Sequence, residues 1–139
     1  MDKDKNQSQI ILYQTEDGKT RVEVRFEHEN VWLSQKIIAA LFDTSVPNIN
    51  MHLKNIFSAG ELTSDSVIKE FLITASDGKN YKTKMYNLEA IIAVGYRVNS
   101  ERGTLFRQWA TERLKEYMVK GFTMDDLRLK QGGQKSRYF

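Results

Sequence analysis

Residues 32–57 contain two stretches of helical periodicity, separated by three residues that interrupt the pattern. Ser34 can cap the first stretch, because its hydroxyl can accept a hydrogen bond from an unpaired amide of the first helical turn. Residues 43–45 carry Asp, Thr and Ser, whose side chains compete for backbone hydrogen bonds and so favour a turn. Ser45 or Thr44 can cap a second helix. The pattern predicts two helices joined by a tight turn.

The second helix is expected to cross the first closely, at the small residue Ala39. Pro47 is tolerated in its first turn, where amide groups have no intrahelical partner. This arrangement is typical of a helix-turn-helix, although an ordinary helical hairpin in a globular core is the more common use of such a pattern.

The outward face of the second helix favours the DNA-binding interpretation. A solvated helix would more usually carry Glu and Lys, which have better helix propensity than Asn, and Asn can bond an adenine edge through two hydrogen bonds. We predict that residues 46–54 enter the major groove, with Asn48, Asn50 and Met51 nearest the base edges. The full set of predicted contacts on this element is Ser45, Pro47, Asn48, Asn50, Met51 and Lys54.

A predicted β-hairpin follows the helix pair, with strands over 67–74 and 81–86 and an Asp-Gly pair at its tip. A hairpin in this position would serve as a wing. Lys79 lies at the tip, and Lys82 and Lys84 share one face of the second strand, so all three are expected to contact phosphates. The alternative is an exposed sheet edge that its lysines protect from aggregation.

The flanking segments complete an α+β fold. An N-terminal hairpin is predicted over 10–27, a helix from Leu88, and a long helix from Thr104 to about Lys120. Arg97 and Arg102 flank the break between these helices and could bind an anion. The predicted organisation is a disordered tail over 1–9, a winged helix-turn-helix domain over 10–87, a two-helix extension packed on it over 88–122, and a linker over 123–139 to a missing C-terminal part.

Composition excludes several function classes. The 139 residues include no cysteine and two histidines, so a disulfide framework, a zinc ribbon or a thiol nucleophile is not expected. Common catalytic and nucleotide-binding motifs are absent, and no apolar run approaches the roughly 20 residues that span a bilayer. We therefore expect a cytoplasmic protein that is not an enzyme and has no cofactor, metal, membrane or small-molecule partner.

The charge is unevenly distributed. Residues 1–78 hold 8 Lys/Arg and 12 Asp/Glu, a net of −4, whereas residues 79–139 hold 13 and 6, a net of +7. A basic half attracts phosphate backbones. The acidic first half counts modestly against a DNA-binding function.

The run YNLEAIIAVGYRVNSERGTLFRQWATERLKEYMVKGFTMDDLRLK over 86–130 closely resembles the RhuM family of bacterial virulence proteins. Two upstream runs, WLSQKIIAALFDTSVPNINMHLKNIFSAGEL and DGKNYKTKMYNLEAI, resemble the same family. The resemblance implies a longer parent protein with this chain as its N-terminal portion, but no established activity. A weaker likeness links FRQWATERLKEYMVKGF to the end of the Bro-N domain of phage and viral regulators, which also implies DNA binding, by analogy alone.

Together these observations predict a double-stranded-DNA-binding domain, acting as a regulator or targeting domain of a longer bacterial or prophage protein. The alternative is a protein-interaction module without DNA affinity. The oligomeric state stays open: many helix-turn-helix proteins bind palindromic sites as dimers, and the helix over 104–120 could supply a homodimer interface, but we expect it to pack on its own core.

Overall fold

The computed structural model describes the backbone of residues 9–132 and the side chains of residues 9–116. Within these residues the fold is mixed α+β, with five strands and five helices, which confirms the predicted class. The elements in chain order are β1 (Gln9–Gln14), β2 (Arg21–Glu27), β3 (Asn30–Leu33), α1 (Gln35–Leu41), α2 (Val46–Ser58), α3 (Ser64–Val67), β4 (Ile68–Thr74), β5 (Asn80–Asn87), α4 (Leu88–Val98) and α5 (Ser100–Gly132).

All five strands form one antiparallel sheet in the order β1-β2-β3-β5-β4. The helix pair lies between β3 and β4 in the chain, and β5 returns to pair with β3 at Trp32↔Asn87 and Leu33↔Tyr86. The two predicted hairpins are therefore the two edges of one sheet.

The core lies between one face of this sheet and the helices. Alternation along β2 places Val22, Val24 and Phe26 on the buried face and charged residues on the other. Helix residues complete the same cluster: Ile38, Leu41, Phe42, Ile49, Leu53, Ile56, Ile91, Val94, Phe106 and Ala110. The predicted extension, α4 and α5, therefore belongs to the main core.

The local signals in the sequence are confirmed. Ser34, Ser45 and Asn87 cap α1, α2 and α4, each with a side-chain oxygen that accepts a backbone amide three residues on. Gly60 follows the end of α2 with a φ of 76°, in the left-handed region that favours glycine. Gly78 in the predicted Asp-Gly tip of the second hairpin has a φ of 84°, also in the left-handed region.

The prediction for the last two helices was wrong in two respects. We expected a break over 99–103, but α5 begins at Ser100 and only Asn99 separates the two helices. Asn99 serves both ends: its amide donates to the Gly95 carbonyl at 2.7 Å, and its Oδ1 accepts the Arg102 amide at 3.1 Å.

We also expected the last helix to end near Lys120, with a linker from 123, but α5 continues to Gly132. A glycine inside a helix costs only about 1 kcal/mol relative to alanine, so Gly121 need not end it. The predicted tail covered 1–9, but Gln9 belongs to β1; residues 1–8 of that tail and residues 133–139 of the predicted linker lie outside the described residues. The segment between α2 and β4 contains the four-residue helix α3.

Candidate nucleic-acid interface

The corner between α1 and α2 is a tight turn with Asp43 in the left-handed region, at a φ of 56°. The amide of Thr44 donates to the Ala39 carbonyl at 2.9 Å, and Ala39 is buried. Ser45 then caps α2 by accepting the Asn48 amide at 3.2 Å. Its hydroxyl therefore has a structural role, in addition to the predicted contact with DNA.

Exposed residues run along the whole length of α2 on the side that faces away from the core, and Lys54 is the one Lys, Arg, Asp or Glu among them. Ile49, Leu53 and Ile56 are buried, as the sequence predicted. The exposed residues on this side are Val46, Pro47, Met51, Lys54, Asn55 and Ser58. Asn48 and Asn50 are half-buried beside this ridge, so they lie at its flanks and not at its crest.

Both asparagines hold hydrogen bonds that orient their amides. The Asn48 Nδ2 donates to Thr44 Oγ1 at 2.9 Å, which leaves Oδ1 as an acceptor. The Asn50 Oδ1 accepts from Gln35 Nε2 at 3.3 Å, which leaves Nδ2 as a donor. Each asparagine thus keeps one amide atom with no hydrogen bond, and the bonded atom fixes the direction in which that free atom points.

Gln35 connects the second helix to the sheet. Its Nε2 also donates to the Tyr86 hydroxyl at 3.0 Å, so one amide bridges α2 and β5. We did not single out Gln35 or Tyr86 from the sequence, because a pair 51 residues apart has no local signature. Alternation along β5 gave no indication either, because Tyr86 shares its face with Lys82 and Lys84.

The second hairpin carries its lysines on the helix side of the sheet. Tyr86 packs in the main core, and alternation places Lys84 and Lys82 on the same face. Both lysines are exposed, and the partners facing them on β4 are Glu70 and Leu72. The exposed Lys82 and Lys84 thus lie on the face of the sheet that carries the helices.

Lys79 lies at the ordered tip of this hairpin. Its amide and the Tyr81 hydroxyl both donate to the Asp77 carboxylate, at 2.9 and 2.6 Å. The Tyr81 bond is the main reason that the pKa of Asp77 is lowered from its ordinary value, and the same bond raises the pKa of Tyr81. The ionised Asp77 carboxylate therefore stabilises the conformation of the tip and lies next to Lys79 in the chain.

Arg97 and Arg102 make no contact with α2 or with the β4–β5 hairpin in the hydrogen bonds and ion pairs described for them. The Arg97 Nη2 pairs with Glu61 Oε1 at 2.7 Å. Arg102 donates to the Leu41 carbonyl at 2.7 Å and pairs with Asp17 at 3.3 Å, with its side chain only 16% exposed. Both guanidinium groups are used within the chain, so we leave them out of the proposed DNA contacts.

Among the described residues, no group of three or more His, Asp or Glu side chains is placed to hold a metal ion. The helices in this part of the chain also include none that is both long and apolar enough to cross a membrane.

Comparison with known proteins identifies the family. No curated protein and no solved structure matches the chain. The sequence model of the Virulence protein RhuM family matches residues 66–139, just over half of the chain. This match confirms the resemblance noted over 86–130, while the upstream run over 32–62 lies outside the matched residues. The chain belongs to the RhuM family of virulence proteins.

Proposed function

We propose that this chain is a winged helix-turn-helix domain that binds double-stranded DNA, as the regulatory or targeting part of a longer RhuM protein. One observation carries the proposal. The exposed face of α2 and the lysines of the β4–β5 hairpin lie on the same side of the sheet, and Gln35 bonds to both elements. A helix could enter the major groove there while the hairpin contacts the adjacent backbone.

The order of the elements supports a winged arrangement. Strand β3 leads into α1 and α2, and the β4–β5 hairpin follows, with β5 next to β3 in the sheet. The hairpin is thus anchored through its second strand, and its turn projects beyond the sheet partner β3, which is only four residues long. This is the position that a wing needs.

The charge of these elements also suits a phosphate backbone. Residues 34–58 contain Lys36 and Lys54 against Asp43, a net of +1, and α2 itself has no acidic residue. Residues 68–87 contain four lysines against Glu70 and Asp77, a net of +2. Lysine side chains near phosphates release bound counterions, which favours binding at low salt.

The proposal can be tested by fluorescence anisotropy with a labelled random-sequence duplex at about 50 and about 200 mM salt. We expect binding that weakens with salt, because each phosphate contact adds about 0.9 to the slope of log K against log salt. Replacing Lys82 and Lys84 with alanine should lower that slope by up to about 1.8.

Lys19→Ala is the matched control. Lys19 is an exposed lysine in the turn between β1 and β2, at the opposite edge of the sheet. Its removal changes the net charge by the same amount per residue but should leave the slope unchanged. The absence of binding at low salt, or an equal loss in the control, would contradict the proposal.

A second candidate function is protein interaction, favoured by one observation. Ile10 and Leu12 are 47% and 54% exposed on the same face of β1, which is an edge strand. Exposed apolar residues on a sheet edge favour pairing with another chain, either a partner or a second copy. If this face mediates self-association, Leu12→Lys should shift the chain towards a monomer in analytical ultracentrifugation without changing duplex affinity per monomer.

A further inference from the structure

The first half of the α2 ridge is apolar, although it is exposed. Val46 is 40% exposed and Met51 is 47% exposed, and Pro47 lies between them in sequence and one turn from Met51. Single exposed apolar residues are ordinary, but these three form one contiguous strip at the start of the helix. Contact with water does not stabilise apolar side chains, so solvation does not explain the strip.

The surroundings of the strip match a nucleic acid better than an apolar protein surface. The α2 helix has no acidic residue, and Lys54 follows Met51 by three positions on the same side. The half-buried amides of Asn48 and Asn50 flank the strip. An apolar strip bordered by amides and a cation complements a groove that displays apolar groups among hydrogen-bonding base edges and phosphates.

In the major groove of unmodified DNA, the thymine C5-methyl is the apolar group that a base edge displays. The amides of Asn48 and Asn50 also match hydrogen-bonding groups that an A·T pair displays in the major groove. The Oδ1 of Asn48 is an acceptor that fits the adenine N6 amino group, and the Nδ2 of Asn50 is a donor that fits thymine O4 or adenine N7. Each asparagine would then make one bond and keep its partner in the protein.

We propose that the first half of α2 reads A·T pairs by apolar contact with thymine methyl groups, with Val46 and Met51 as the specificity-determining residues. This inference rests on the proposed DNA-binding function. It differs from the two-bond adenine contact that the sequence suggested for asparagines, because the bonds with Thr44 and Gln35 orient the amides of Asn48 and Asn50.

The test begins with selection of preferred duplexes from a random library by the whole chain. The thymines of the selected site are then replaced with uracil, which removes the methyl group and keeps the base-pairing edge. We expect the Kd to rise about fourfold for each methyl that contacts an apolar side chain, from the burial of one carbon group.

Met51→Ala should reduce this difference between thymine and uracil sites, because it shortens the side chain that contacts the methyl group. Ser58→Ala, at an exposed position in the last turn of α2, is the matched control and should keep the full difference. Circular dichroism of both variants verifies that the exposed substitutions leave the fold intact.

Three results would overturn the inference. Equal affinity for thymine and uracil sites, or selected sites without A·T pairs, would refute methyl recognition and leave the DNA-binding function standing. Absence of binding to any duplex would refute the DNA-binding function and this inference with it.

Discussion

The packing of α4 against α1 and α5 can be tested at Gly95. A Cβ added there would lie 2.7 Å from Phe42 Cζ and 3.1 Å from the Gly103 Cα. Phe42 is only 1% exposed, so its ring cannot turn into solvent, and the contact with Gly103 is with backbone. Gly95→Ala therefore requires that α4 or the ring move.

Two effects of opposite sign set the magnitude. Alanine is favoured over glycine in a helix interior by up to about 1 kcal/mol, whereas overpacking a core costs about 1–3 kcal/mol. The shortest distance, 2.7 Å, places this site in the upper part of that range. We expect a net decrease of about 1–2 kcal/mol in the free energy of unfolding, from the difference of these two terms.

The assay is urea denaturation followed by circular dichroism, with Phe42→Leu as a second variant. Leucine lacks the ring atoms that meet the new methyl, so Gly95→Ala should cost at least about 1 kcal/mol less in the Phe42→Leu background. A Gly95→Ala variant as stable as the wild type, or additive effects in the double variant, would refute the described packing of α4 on Phe42.

Three further outcomes are expected. Ser45→Ala should lower the free energy of unfolding by about 1 kcal/mol in urea denaturation, since it removes the α2 N-cap; unchanged stability would contradict that role. Arg102→Ala should destabilise by about 1.5–3 kcal/mol in the same assay, because the Leu41 carbonyl loses a charged donor, and it should leave the salt slope of DNA binding unchanged. Carbon-13 NMR titration should place the pKa of Asp77 below 3.8, so that the tip bond is present above that pH and is lost as the pH falls through the lowered value; Tyr81→Phe should raise this pKa, and an unchanged value would argue against the bond.

Features that depend on nearby residues were predictable from the sequence. The caps Ser34, Ser45 and Asn87 bond amides three residues away. The two Asp-Gly tips likewise determine their own turns. Because these interactions are local, the sequence specified both hairpins, the helix pair and the α+β class.

Features that depend on distant partners were not predictable. Gly103 suggested a break, but it lies inside α5, where an added Cβ would meet the Gly95 backbone at 3.2 Å. Arg97 and Arg102 suggested an anion site, but their partners lie 36, 61 and 85 residues away in the chain. The orientation of Asn50 depends on Gln35, 15 residues earlier, so its hydrogen-bonding capacity could not be inferred from α2 alone.

Half of the net negative charge of residues 1–78, −2 of −4, lies at the sheet edge opposite the lysines of the proposed interface. Residues 9–29 hold five Asp/Glu against three Lys/Arg, a net of −2, and they form the β1–β2 edge of the sheet. The β4–β5 hairpin, with a net of +2 over 68–87, forms the other edge. An acidic edge far from the lysines does not weaken a phosphate contact at those lysines, since charges more than about 10 Å apart are largely screened at 0.1 M salt. Under the proposed function, the acidic edge repels a duplex at lower salt, and this repulsion favours approach from the side of α2 and the hairpin.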